Sequence, residues 1–178
     1  MALEVVYQVC KSNITRVVAE AIVYSAEKDF SKGKGMSKDI FTIAGEYEIA
    51  EALKKVDKLS PGNVVLTSAF KLPARYLIHA LPPEYDLSME NLPAIMSYCF
   101  VNCLMEAARN NARSIAIPVL GTGSKGWPLD ESVRIMVDTV KWILDRHPDC
   151  SIGKVIFVAF DKEAEYALNT YCRIKHIF

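Results

Sequence analysis

Six short apolar segments rich in β-branched residues recur along the chain: VVY (5–7), AEAIVYSA (19–26), NVVLTSA (63–69), RYLIHAL (75–81), SIAIPVL (114–120) and KVIFVAF (154–160). Several are almost continuously apolar, the pattern of strands covered on both faces. Between them, residues 37–57, 89–111, 129–146 and 162–172 carry apolar residues at helical spacing. A parallel strand pair needs a crossover long enough to hold a helix, so this alternation points to a layered α/β domain with a largely parallel sheet. The punctuation agrees. Pro128 sits where a first-turn proline is tolerated, Asp130 and Glu131 place negative charge at the positive end of that helix, and Arg146, His147 and Pro148 close it. Ser60-Pro61-Gly62-Asn63 separates a helix from a strand, and Pro82-Pro83 ends another strand.

With 178 residues, 51% of them hydrophobic, a single domain over residues 1–178 is expected, with one core and no linker, repeat or low-complexity tract. Basic and acidic residues both total 21, so the net charge is zero. That argues against holding DNA or RNA by phosphate neutralisation, and no direct nucleic-acid partner is expected. A small anionic ligand stays open, because backbone amides hold phosphate without surplus lysine. The start, MALEVVYQVCK, is broken by Glu4 and Gln8 and is too short for a signal peptide. No apolar run reaches the length that crosses a bilayer, so a soluble chain without a membrane partner is expected. Cys10, Cys99, Cys103, Cys150 and Cys172 form no C-x-x-C pair and suit free thiols, which places the chain inside the cell, in nucleus or cytoplasm. Asn13-Ile14-Thr15 matches a glycosylation acceptor that this context leaves without weight.

GTGSKG, residues 121–126, follows an apolar segment and precedes a helix. It satisfies the dinucleotide fingerprint G-x-G-x-x-G, yet lies late in the chain, and Asp145, at the distance of the expected ribose acid, falls at a helix end. It also satisfies the first half of a P-loop, but Trp127 and Pro128 stand where Lys and Ser or Thr are required. What remains is a choice between a tight βα turn and a loop whose amides face an anion while the missing side chains let it approach. A second segment, AEAIVYSAEKDFSKGKGMSKDI (19–40), again leads from a strand through Gly33-Lys34-Gly35 into a helix. Two such loops at the carboxyl ends of sheet strands can grip one ligand from two sides.

The motifs AEAIVYSAEKDFSKGKGM, SPGNVVLTSAFKLPARYLIHALPP, SIAIPVLGTGSKGWP and KVIFVAFDKE, in this order and spacing, resemble the macro domain, a module that binds ADP-ribose and related metabolites. The resemblance covers nearly the whole chain and implies a three-layer α/β/α macro-domain fold with a mixed, largely parallel central sheet. It extends to the macro modules of multi-macro ADP-ribosyltransferases. It implies that Gly121, Thr122, Gly123, Ser124, Lys125, Gly126 and Trp127 wrap a diphosphate through backbone amides. Gly33, Lys34, Gly35 and Met36 then belong to the opposing loop, with Asn13 and Ile14 beside the adenine. Phe160 matches an aromatic position against adenine; a core phenylalanine is the equal alternative.

Departures from the family pattern bear on function. Tyr24 and Glu27 stand at two asparagine positions and Lys34 at the middle of a triple glycine. The second asparagine orients the distal ribose and attacking water in family hydrolases. Glu27 cannot donate that amide hydrogen bond, and its charge opposes a diphosphate unless neutralised, with Lys34 as the available partner. Asn13 stands where the family has an adenine-reading aspartate, and retains a carbonyl oxygen able to accept from the amino group. Three readings follow: a reader of ADP-ribose or ADP-ribosylated protein without efficient hydrolysis and without catalytic residues, a degenerate domain serving as a protein-interaction module, and an ADP-ribosyl hydrolase using Glu27 or Asp29 as base. No cofactor or metal is expected. Cys99 and Cys103 read as core thiols and His79 as structural.

Overall fold

The computed structural model describes residues 4–178; the first three residues of the expected domain lie outside the described residues. Six strands form one sheet: β1 (Val6–Lys11), β2 (Ala21–Ser25), β3 (Val64–Ser68), β4 (Tyr76–Ala80), β5 (Ser114–Pro118) and β6 (Lys154–Ala159). Their spatial order is β1-β6-β5-β2-β4-β3, and only the β3–β4 pair is antiparallel. The helices are α1 (Met36–Ala44), α2 (Glu46–Leu53), α3 (Leu92–Arg109), α4 (Leu129–Arg146) and α5 (Lys162–Ile174). None among the described residues is long and apolar enough to cross a membrane.

Side chains on successive strand residues point to opposite faces, and both faces are covered. Ala21 and Val23 of β2 join Ile115, Ile117, Val155 and Phe157 in a core closed by α3, α4 and α5. Ile22 and Tyr24 join Leu77, Ala116, Ile156 and Val158 in a second core, closed by α1 and α2. The alternation implies the layered α/β domain with a largely parallel sheet, and the three-layer α/β/α arrangement with a mixed sheet is the one that the resemblance implies. Cys99 and Cys103 are buried in the first core, where burial, with Cys99 beside it, pushes the Cys103 thiol well up.

The segment expected as one helix over 37–57 is two. Gly45, at φ 115°, closes α1 and opens α2. That backbone angle is outside the helical region and inaccessible to most residues, so the chain breaks where only glycine tolerates the turn. The break lets α2 fold against the same face of the sheet as α1.

His79 of β4 lies in the second core, fully buried, between two hydroxyls. Thr67 Oγ1 donates to the Ser68 carbonyl at 2.8 Å, so it accepts from His79 Nε2 at 2.9 Å. Nδ1 therefore accepts from the Tyr24 hydroxyl at 2.7 Å. Every polar group of this Tyr24–His79–Thr67 chain is satisfied with the imidazole neutral, which fits the structural role assigned to His79. Burial lowers the His79 pKa from 6.5 to about 3. The unfolded chain protonates this histidine below pH 6.5 and the folded chain does not, so its contribution to stability is complete above pH 6.5 and falls as pH drops toward 3. Between pH 7 and pH 4.5 wild type is expected to lose about 2 kcal/mol more than His79→Gln in urea unfolding. Equal losses in the two proteins would disprove the neutral, buried state of His79.

Candidate functional site

Parallel pairing of β1, β6, β5, β2 and β4 brings their carboxyl ends to one edge of the sheet. The loops that follow these ends hold the residues singled out in the sequence: Asn13 and Ile14 after β1, Phe160 after β6, residues 121–127 after β5, and Gly33 to Met36 after β2. These loops thus gather at the strand ends, where open α/β sheets place ligands.

The glycine loop is pinned from below and open above. Gly121, at φ 82°, is buried, and a Cβ there would lie 2.6 Å from Trp127 Cδ1 and 2.8 Å from Met96 Cε. Trp127 is itself buried and donates its indole N–H to the Pro83 carbonyl at 2.8 Å. Inside the loop, Gly126 N donates to Gly123 O and Trp127 N to Gly121 O, and Tyr85 N donates to Lys125 O. Ser132 Oγ holds Leu120 O at 2.6 Å. The amides of Thr122, Gly123, Ser124 and Lys125 have no protein acceptor among the described residues. A Cβ at Gly123 would meet nothing within 4 Å. Consecutive free amides on a loop with an open approach form a concave anion site. The Lys125 side chain turns aside, only 13% exposed, with Nζ 3.5 Å from Glu84 Oε1. Lys125 and Trp127 therefore serve this loop through backbone and packing, while Thr122 and Ser124 are exposed on it.

The opposing loop is more crowded. Ala26 N extends the β2–β4 ladder to Ala80 O, and Phe30 N donates to Glu27 O. Phe30 adopts φ 58° and lays its ring edge-on to His79, centroids 6.0 Å apart. Gly33 N donates to Ser37 Oγ at 3.2 Å, and Gly35, at φ 55°, opens α1. The Glu27 carboxylate reaches over Gly33: Oε1 lies 3.0 Å from where a Cβ would stand. Glu27 is half-buried, and its carboxylate has neither an ion-pair nor a hydrogen-bond partner among the described residues. Lys34 is exposed and forms no ion pair with Glu27, so the neutralising contact expected of it is not made. Lys32 instead pairs with Glu46. Asp29 is exposed and accepts from Ser31 N, and the hydrogen bonds from Ser31 lower its pKa. Tyr24 faces the core rather than the crevice, and burial, reinforced by the Glu27 charge, pushes its hydroxyl pKa up.

At the β1 end, Asn13 caps a 3-10 turn (Ile14–Arg16). Its Oδ1 accepts from Thr15 N at 3.0 Å and from Thr15 Oγ1 at 2.8 Å, and its Nδ2 donates to Asp39 Oδ2 at 2.8 Å. A backbone N–H only donates and a carboxylate only accepts, so the amide orientation is fixed. The expectation that Asn13 accepts from an amino group is corrected, because both lone pairs of its oxygen are taken. Asp39, in the first turn of α1, had no place in the sequence reading; only spatial proximity across 26 residues reveals it. Ile14 is buried beneath this turn, whereas Phe160 is 72% exposed, which removes the core alternative for its ring.

The model of the macro domain family matches residues 23–136, more than half of the chain. The O-acetyl-ADP-ribose deacetylase of Enterobacter cloacae subsp. cloacae is 34% identical over 170 residues, covering 93% of this chain and 91% of that protein. Among solved structures, the Oceanobacillus iheyensis macrodomain with MES bound superposes with a TM-score of 0.87 at 24% identity, over 94% of this chain and 90% of that one. The Trypanosoma brucei macrodomain in complex with ADP-ribose gives a TM-score of 0.84 at 24% identity, over 93% of this chain and 68% of that one. A family model matched over most of the central chain and a relative one-third identical along nearly the full length agree with the sheet order and the two loops: the chain belongs to the macro domain family.

Proposed function

We propose that this macro domain binds ADP-ribose, free or attached to protein, as an intracellular reader module without efficient hydrolysis. The observation that carries the reading is the run of unpartnered amides from Thr122 to Lys125, on a loop whose Gly123 leaves the approach open. On the same edge, exposed Phe160 and the Asn13–Asp39 pair offer a stacking face and polar groups for a base, which in this reading leaves the Glu27–Met36 segment for the distal sugar. The ADP-ribose complex of the Trypanosoma brucei relative supports the ligand class. Five free cysteines favour a reducing compartment, nucleus or cytoplasm.

A second reading is favoured by the relatives named O-acetyl-ADP-ribose deacetylase and by the unpartnered Glu27 carboxylate. In it, Glu27 serves as general base for the water that attacks an acyl ester of the distal ribose. Wild type and Glu27→Gln separate the two readings. Acetate release from O-acetyl-ADP-ribose by wild type, lost in Glu27→Gln, supports the esterase. Absence of release with ADP-ribose binding intact supports the reader.

Binding itself is measured by unfolding with and without ADP-ribose. Ligand at a hundredfold excess over Kd is expected to add about 2.7 kcal/mol of stability, and no shift at millimolar ligand would sink the proposal. Gly123→Val is expected to melt as wild type does without ligand, since its side chain enters open space, yet to bind more than tenfold less tightly. Gly121→Ala is expected to lose more than about 1 kcal/mol of stability, because its Cβ meets Trp127 and Met96 in a backbone conformation that strains any side chain. Unchanged ligand affinity in Gly123→Val would remove the loop from the site.

A further inference from the structure

We infer that Asp39 is the residue that reads the base, and that Asn13 positions it. The inference rests on the reading above, in which the β1 end of the crevice takes the base. Asn13 offers no acceptor, because its oxygen is saturated by the two Thr15 donors. Its Nδ2 spends one hydrogen on Asp39 Oδ2 and keeps one without a partner among the described residues. Asp39 is half-buried, forms no ion pair among the described residues, and accepts no other side-chain hydrogen bond. The 2.8 Å contact restricts its carboxylate, leaving Oδ1 as a charged acceptor.

The pair therefore presents one acceptor, on Asp39, beside one donor, on Asn13. Adenine offers the complementary order along its Watson–Crick edge: an exocyclic amino group that donates and a ring N1 that accepts. Hypoxanthine differs only at that edge and offers the inverse order, a carbonyl oxygen that accepts and an N1–H that donates. The Asp39 charge would face the hypoxanthine oxygen, so discrimination arises from a mismatched pair as well as from a lost hydrogen bond. An aspartate placed on the helix thus restores the charged acceptor that an asparagine at position 13 removes.

The test is calorimetric binding of ADP-ribose and of its hypoxanthine analogue, inosine diphosphate ribose, to wild type and Asp39→Ala. Wild type is expected to prefer the adenine compound at least tenfold, and Asp39→Ala to narrow the preference to within about threefold while binding the hypoxanthine compound at least as tightly as wild type does. That second affinity also reports whether the variant is folded. Wild type binding both compounds equally, or Asp39→Ala retaining a tenfold preference, overturns the assignment of Asp39 and leaves the reader function standing. Failure of wild type to bind either compound overturns the ligand reading and this inference with it.

Discussion

Parallel pairing of five strands governs the rest of this molecule, because it decides where every loop of consequence goes. Strands running the same way end together, so Lys11, Ser25, Ala80, Pro118 and Ala159 share one edge. The same pairing forces helical crossovers onto both faces, which is why both faces of β2 are buried and why Tyr24 of β2 and His79 of β4 can lie fully enclosed. The antiparallel β3 sits at the margin and supplies Thr67, the hydroxyl that lets His79 stay neutral there. A buried imidazole without both partners would cost several kcal/mol in lost hydrogen bonds or forced ionisation.

The two loops of the crevice use opposite strategies. The loop after β5 is rigid by packing: Gly121 fits against Trp127, Trp127 hangs from Pro83, and Tyr85 binds the Lys125 carbonyl. Its amides are left over because the loop's own turns consume only the donors of Gly126 and Trp127. Such a loop meets an anion with little reorganisation, and ordering costs are what most erode binding. The loop after β2 carries side chains where close approach calls for bare backbone. Phe30 holds a left-handed conformation and Glu27 covers Gly33. Strain of this kind at a binding edge persists only because Phe30 packs on His79 and the segment is tied to Leu59 through Lys28.

Much of this was legible in the chain because the signals are local. The alternation of apolar strands with helical spacing gave the layers, and Gly121, Gly123 and Gly126 marked the βα turn of the candidate site. The misses are non-local or turn on a single backbone angle. Gly45 lies within a helical pattern, and nothing near it announces φ 115°. Tyr24 stands at an asparagine position of the family pattern, yet strict alternation with Val23 places its side chain in the opposite core. The Asn13–Asp39 contact joins β1's turn to α1 across an intervening strand, and no pattern in a single sequence encodes it.

Charge is the feature that most separates this crevice from a neutral one. Two half-buried carboxylates, Glu27 at Gly33 and Asp39 at Asn13, lie at the same sheet edge as the glycine loop, while Lys125 turns toward Glu84, Lys32 toward Glu46 and Lys34 into solvent. In the proposed complex the diphosphate is held by amides and the helix dipole. Carboxylates contribute favourably only where the ligand donates hydrogen bonds. ADP-ribose has such donors at its two ends, the amino group of the base and the hydroxyls of the distal ribose, and its charge in the middle. If ADP-ribose binds as proposed, Asp39 and Glu27 meet its two ends and the amides its middle, so a ligand with phosphate at either end would meet repulsion where ADP-ribose meets an acceptor.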